Sequence, residues 1–242
     1  MIIGSIREDL VIEKRVALTP ETAKNIINLG LKVCIEKNYA DHIGIKDDEY
    51  SKVGVEIKNS TIDVLSSYNL LVKVNCPSEN EISKLKDKTI LVGMFNPSQN
   101  KKKISEIIKK KINIFSLELL PRITRAQSMD VLSSQSNLAG YRAVVDSVFE
   151  FEKAIPMMMT AAGTVPAAKV LVIGAGVAGL QAIATAKRLG AIVSATDVRS
   201  ASKEQVESLG GKFLSVDQAE DMETSGGYAK EASDDYKKKQ AE

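Results

Sequence analysis

Residues 169–197 constrain this chain more than any other stretch. They run Lys-Val-Leu-Val-Ile-Gly-Ala-Gly-Val-Ala-Gly-Leu and on to Ala-Thr-Asp. The apolar run Val170 to Ile173 reads as a buried parallel strand. Gly174, Gly176 and Gly179 follow at the spacing G-x-G-x-x-G. Gly174 permits a tight turn, Gly176 leaves the backbone open to a pyrophosphate, and Gly179 lets the next helix sit close on the sheet. That helix would offer unpaired N–H groups and its positive dipole end to phosphates. Asp197 comes 18 residues after Gly179. A carboxylate there suits both ribose hydroxyls of NAD and repels the 2′-phosphate of NADP. The glycine pattern alone is weak, but a strand before it and a helix after it supply the context it needs. The competing reading is a doubly wound sheet that uses these glycines only for packing.

The same region imitates a membrane span. Residues 157–186 are nearly all apolar or small, with Lys169 and Gln181 the clear exceptions. Pro166, the three glycines and Lys169 interrupt the run, and a strand-turn-helix accounts for it without lipid. No signal peptide is expected at the start, where Met1-Ile2-Ile3-Gly4 is followed at once by Arg7, Glu8 and Asp9. At 242 residues with 26% charged and 44% hydrophobic positions, the chain suits one large or two small globular domains. A net charge of +2 gives no nucleic-acid signature. The lysine triplets at 101–103 and 109–111 flank Ile104, Ile107 and Ile108, as the wet face of an amphipathic helix would. Cys34 and Cys76 are the only cysteines and His42 the only histidine. No metal site is expected. The cysteines read as buried reduced thiols, and His42, in a polar loop, reads as structural.

Along the first ~130 residues short apolar runs alternate with helical patterns, as βαβ units do. Strands are expected at 1–6, 31–36, 70–75, 89–95 and 113–119, and helices at 20–29, 47–53, 79–86 and 98–111. Thr19-Pro20-Glu21 is a helix start and Gly30 a stop. Residues 133–153 read as one long connecting helix, since Leu138, Tyr141, Val144, Val145, Val148 and Phe149 recur at three- and four-residue steps. Met157-Met158-Met159 is read as core packing in preference to a ligand cleft. The second domain, 154–242, should hold strands at 170–173, 192–196 and 212–216 and helices at 177–189 and 201–209. After residue 216 the apolar period stops. The expected class is α/β, with two Rossmann-like domains of parallel sheet, 1–132 and 154–242, the second truncated.

Residues 121–146, Pro-Arg-Ile-Thr-Arg-Ala-Gln-Ser-Met-Asp-Val-Leu-Ser-Ser-Gln-Ser-Asn-Leu-Ala-Gly-Tyr-Arg-Ala-Val-Val-Asp, resemble a signature of the NAD(H)-binding component of proton-translocating NAD(P) transhydrogenases. The similarity extends from Arg7 through Arg15-Val16-Ala17-Leu18-Thr19-Pro20 to the C-terminus. It implies Re/Si-specific hydride transfer from NADH on this chain to NADP⁺ on a partner component, coupled to proton movement through a membrane-spanning component. It also implies a homodimer, cytoplasmic and peripheral to the inner membrane through its partners. No protein proton donor is needed when a hydride passes between two nicotinamide rings; the protein must orient the ring and exclude water. By the same resemblance Arg122, Gln127 and Asp130, with Ser133 close by, orient the nicotinamide, and Ser128 and Met129 belong to that loop. Val177 packs on the nucleotide, and Asp197, Val198 and Arg199 address the adenosine ribose. Gly227 and Tyr228, in the tail Ser225-Gly226-Gly227-Tyr228-Ala229-Lys230-Glu231, come from a mobile loop that closes over it. In the family this domain continues past that loop. From the residues alone, this segment would instead be a polar cap on the long helix, since Ser133, Ser134 and Ser136 look like cap residues.

Alanine dehydrogenase shares much of the N-terminal pattern. Arg15 and Lys73 match that family's substrate-carboxylate ligands, but Leu91-Val92-Gly93-Met94-Phe95-Asn96, where its acid–base histidine falls, has none. Arg15 and Lys73 are then expected to hold structure, paired with Glu13 or Glu118. A third reading is a non-catalytic NAD-binding fragment.

Overall fold

The computed structural model describes residues 1–121 and 123–215. Arg122, Gly227 and Tyr228 lie outside them. The chain divides into two compact units, Met1–Met129 and Asp130–Glu242.

The first unit is built from β1 (Ile2–Ser5), α1 (Pro20–Asn28), β2 (Lys32–Glu36), α2 (Asp47–Lys52), β3 (Glu56–Lys58), α3 (Thr61–Ser67), β4 (Leu70–Val72), α4 (Glu79–Lys84), β5 (Ile90–Gly93), α5 (Lys101–Lys109) and β6 (Asn113–Ser116). Its six strands are all parallel, in the order β3-β2-β1-β4-β5-β6. This is the doubly wound order, with the chain reversing direction across the sheet between β1 and β4. Local chemistry sets its punctuation. The Thr19 hydroxyl accepts from the Thr22 amide while the Thr22 hydroxyl accepts from the Thr19 amide, with Pro20 opening α1. Gly30, at φ +80°, ends the turn after it.

Two clusters fill this unit. Ile6, Val64, Leu71, Leu91, Phe95 and Ile107 make one. Leu18, Val33, Ile35, Tyr39 and Tyr50 make the other, with the two tyrosine rings edge-on at 5.9 Å. The tyrosine hydroxyls are satisfied inside: Tyr50 donates to the Leu18 carbonyl at 2.8 Å, and Tyr39 pairs with Ser5 Oγ at 2.7 Å. β3 and α3 were not expected from the sequence. Glu56-Ile57-Lys58 has one apolar residue, yet its backbone pairs with β2 as an edge strand. Ser60 caps α3 through the Asp63 amide, and that helix buries Val64 and Leu65. Of the cysteines, Cys34 is buried and Cys76 only half-buried. His42 donates from Nε2 to the Lys14 carbonyl at 2.7 Å, tying two loops together.

The second unit contains α6 (Val131–Phe151), the antiparallel hairpin β7 (Met158–Thr160) and β8 (Gly163–Val165), then β9 (Lys169–Ile173), α7 (Val177–Arg188), β10 (Ile192–Thr196), α8 (Ser202–Ser208) and β11 (Lys212–Phe213). Its described parallel sheet has three strands in the order β11-β10-β9. The core lies on one face, where Val170, Val172, Ile183, Ala186, Val193, Ala195 and Val206 meet Val144 of α6.

Two expectations are corrected here. Val170 to Ile173 form the parallel strand, but none of it is fully buried: Val170 and Val172 are half-buried against the core, while Leu171 and Ile173 alternate with them and are exposed. Among the described residues β9 pairs only with β10, and no helix covers its second face. The methionine triplet is not core. Met157, Met158 and Met159 are all more than half exposed, because the chain forms a short hairpin whose residues face solvent. Among the described residues no helix is long and apolar enough to cross a membrane.

Candidate dinucleotide-binding site

The glycine turn leaves the C-terminal end of β9. Gly174 adopts φ +93°, which an L-residue rarely does, and its amide donates to the Thr196 carbonyl at 2.8 Å, joining the turn to the end of β10. Gly176 is the N-cap of α7 and brings no side chain to cap the helix. The first amides of α7 therefore face outward at the helix's positive end. Among the described residues a Cβ on Gly176 would meet only Arg199 Nη2, at 4.0 Å, so none of them fills the space in front of the turn. Gly179 serves packing instead: a Cβ there would come within 1.8 Å of the Gly174 carbonyl oxygen. The three glycines thus divide their tasks as the motif requires, one for turning, one for access and one for closeness. Val177, the first helical residue, is partly exposed beside them.

Asp197 lies at the end of β10 and is drawn into the turn. Its Oδ2 accepts from the Ala175 amide at 2.6 Å. Its Oδ1 accepts from the Arg199 amide and Nε, both at 2.9 Å, and Arg199 Nη2 donates to Oδ2 at 3.0 Å. Burial alone would raise this carboxyl, but the Arg199 side chain and the two backbone amides outweigh it and hold the group below the usual aspartate range. Val198 is half-buried between the two.

One helix–helix approach fixes where α7 begins. Gly140 of α6 lies so near that a Cβ on it would stand 2.0 Å from the Ala178 carbonyl oxygen. One turn away, Asn137 donates to Gln181 at 3.1 Å. The sequence alone assigns no packing role to Gly140, Asn137 or Gln181. A glycine inside an otherwise good helix was the available signal.

The loop assigned to the nicotinamide is a 3₁₀ helix, Thr124–Met129, in which Ala126 is buried and Gln127, Ser128 and Met129 are exposed. Asp130 is the N-cap of α6: its carboxylate accepts from the Ser133 amide at 2.9 Å and from the Ser133 hydroxyl at 2.7 Å. The capping arrangement is thus present, formed by Asp130 with Ser133 as its partner.

The first unit has a polar cavity of about 540 Å³, lined among others by Glu8, Glu13, Lys73 and Glu81. Of the cations that line it, Arg7 and Lys73 are paired with carboxylates. Lys73, 3% exposed, donates to Glu81 at 2.9 Å and lies 3.5 Å from Glu8. Burial raises the Glu8 carboxyl despite Lys73, whereas at Glu81 the lysine and the Ser78 bonds prevail over burial and lower it. Arg15 is forked onto Glu13 at 2.8 and 2.6 Å, as expected. Glu118 is not the partner of Lys73; it accepts from the Phe95 and Asn96 amides.

Comparison with known proteins agrees with this layout. The family model for the N-terminal domain of alanine dehydrogenase/PNT matches residues 4–139, and that for the C-terminal domain matches residues 143–239. In Rhodospirillum rubrum, the protein that forms the first part of NAD(P) transhydrogenase subunit alpha is 51% identical over 237 residues, covering 95% of this chain and 62% of that protein. The protein of the same name in Rickettsia prowazekii is 48% identical over 244 residues, covering 99% and 64%. The solved structure of a transhydrogenase from Sinorhizobium meliloti superposes with a TM-score of 0.85 at 50% identity, covering 89% of this chain and 64% of that one. The chain thus spans a little over three-fifths of the length of these relatives. Carrying both domains of the family in order, with the glycine turn in the second, this chain belongs to the alanine dehydrogenase/PNT family, in which it is similar over nearly its whole length to transhydrogenase alpha subunits.

Proposed function

We propose that this chain is the NAD(H)-binding component of a proton-translocating NAD(P) transhydrogenase. The observation that carries the reading is the open glycine turn at Gly176, facing the uncapped start of α7, with Asp197 and Arg199 beside it. The bound nucleotide supplies the hydride; the chain supplies placement. The outward amides at the start of α7 suit a pyrophosphate, and Val177 gives an apolar contact there. Gln127 and Asp130, with Arg122 and Ser133, are assigned to holding the carboxamide and so setting the ring's orientation; Ser128 and Met129 flank them, and Gly227 and Tyr228 are assigned to closure. The acceptor, NADP⁺, belongs to a partner component, and a membrane-spanning component couples the reaction to proton movement. The proposed assembly contains two copies of this chain, held at the inner membrane by those partners.

The alanine dehydrogenase alternative is disfavoured by the first unit. The strand β5 and the residues after it carry no histidine, and Lys73 and Arg15 are each engaged by carboxylates. A keto acid would have to displace those partners and would still lack an acid–base group.

The test is reconstitution. Combined with the NADP(H)-binding component of a transhydrogenase, the chain should pass hydride from NADH to NADP⁺. With pyruvate, ammonia and NADH it should form no alanine. Alanine formation at enzymatic rates, or absence of nucleotide-to-nucleotide transfer by a chain that binds NADH, would overturn the assignment.

A further inference from the structure

A bare carboxylate at the end of β10 would exclude NADP(H) by repulsion, but Asp197 is not bare. It accepts hydrogen bonds from two backbone amides and from two nitrogens of one guanidinium. The Asp197 side chain is 5% exposed and that of Arg199 18%. The pair is therefore close to neutral as a unit, and it lies where the adenosine ribose is read in dinucleotide folds. Arg199 also reaches the mouth of the site, because its Nη2 is the one atom of the described residues that a Cβ on Gly176 would meet. A guanidinium in that place is the group that grips a 2′-phosphate bidentately when nothing else holds it.

We propose that the Asp197–Arg199 ion pair is the specificity element of this site, with Arg199 a latent 2′-phosphate ligand that Asp197 keeps occupied. This rests on the dinucleotide reading above. Preference for NADH over NADPH then comes chiefly from engagement of Arg199 and only partly from charge repulsion. A 2′-phosphate gains nothing from an arginine already engaged by a carboxylate, while free ribose hydroxyls need only an acceptor. Asp197 has a second task, since the Ala175 amide leans on it within the glycine turn. A probe of specificity must therefore keep an acceptor oxygen in place.

The experiment titrates NADH and NADPH against four forms of the full chain: the native sequence, Asp197→Asn, Arg199→Gln and the double variant. Asparagine retains one oxygen for the Ala175 amide and releases Arg199. Asp197→Asn should shift the ratio of the two dissociation constants toward NADPH by roughly 10- to 100-fold, the worth of one or two charge-assisted bonds. The double variant should lose most of that shift. Arg199→Gln alone, which leaves an uncompensated carboxylate, should move the ratio the other way. If the double variant keeps the whole shift, repulsion by Asp197 explains specificity and Arg199 has no part in it. If Arg199→Gln leaves the ratio unmoved or favours NADPH, the inference also falls, although NADH binding by the native chain still supports the dinucleotide site. Failure of the native chain to bind either nucleotide removes the site and the inference together.

Discussion

The two units hold similar polar hardware and use it in opposite ways. In the first, segments outside the six-stranded sheet hold a buried lysine between two carboxylates and a partly exposed arginine on a third. Those charges satisfy one another, so they fix loops and leave little for a ligand. In the second, three described strands carry a turn whose helix has no side-chain cap and whose first amides face a space not covered by any described residue near Gly176 except Arg199. The Asp197–Arg199 pair borders that space and shapes it. A related strand-turn-helix grammar thus yields a structural polar cluster when partners close on each other. It yields a candidate binding site when backbone donors are left over.

The largest expected effect tests the closed cluster. Lys73→Ala leaves Glu8 and Glu81 facing each other without their cation, and breaking such a buried pair costs about 3–5 kcal/mol. Denaturant unfolding should show the loss, and Lys73→Met, which keeps the stem but still leaves both carboxylates without their cation, should recover only the packing part of it. NADH affinity of the folded fraction should stay as it was. A Lys73→Ala protein of unaltered stability would mean the cluster is loosely solvated.

Next comes the turn. Gly179→Ala puts a methyl where the Gly174 carbonyl oxygen lies 1.8 Å away, and relieving such overpacking costs ~1–3 kcal/mol. If the strain is released by opening the turn, NADH affinity falls by about 10- to 100-fold. Calorimetric titration would show it. Unchanged affinity would mean that the turn does not hold the nucleotide.

These two sites also show what could be read from the sequence. The turn was legible because its tasks are local: φ at Gly174, room at Gly176 and clearance at Gly179 follow from spacing within six residues. The Thr19-Pro20 helix start was legible for the same reason. The partner of Lys73 was not, because Glu8 and Glu81 are brought to it by β1 and α4 across the fold. The Arg199 clamp on Asp197 depends on the curl of the chain after β10, which leaves no pattern in one dimension; the closeness of Gly140 to α7 depends on a helix crossing, at which a glycine inside a helix only hints. The methionine triplet shows that apolar composition does not fix burial: a two-stranded hairpin over which no described element is layered leaves its side chains exposed.

A smaller effect is expected at Asp130. Asp130→Ala removes the N-cap of α6 and should cost about 1 kcal/mol of stability. If the carboxylate also orients the nicotinamide, single-turnover hydride transfer with the partner component should slow far more than NADH binding weakens; a misplacement of ~1 Å costs ~100-fold in rate. Gln127→Ala, on an exposed residue, should give the kinetic defect with little loss of stability. Stability loss at Asp130 with unaltered rates in both variants would leave the segment as a helix cap alone.

The smallest expected effect is a pH slope. Asp197 is held below the ordinary aspartate range, so its contribution is fully present above an unfolded value near ~4 and is lost as pH falls through the lower folded value. Stability of the native chain should decline on acidification through that window. Asp197→Asn should show a shallower decline. Equal slopes would mean that the carboxylate is not held by Arg199 in solution.

The most direct test of the dinucleotide site is a residue-resolved NADH titration followed by backbone amide NMR. Shifts are expected at Gly174 to Val177, at Asp197 to Arg199 and at Gln127 to Asp130, with the amides around Lys73, Glu8 and Glu81 unmoved. Shifts concentrated at Lys73 and Arg15, with the glycine turn silent, would contradict the assignment of that turn as the nucleotide site.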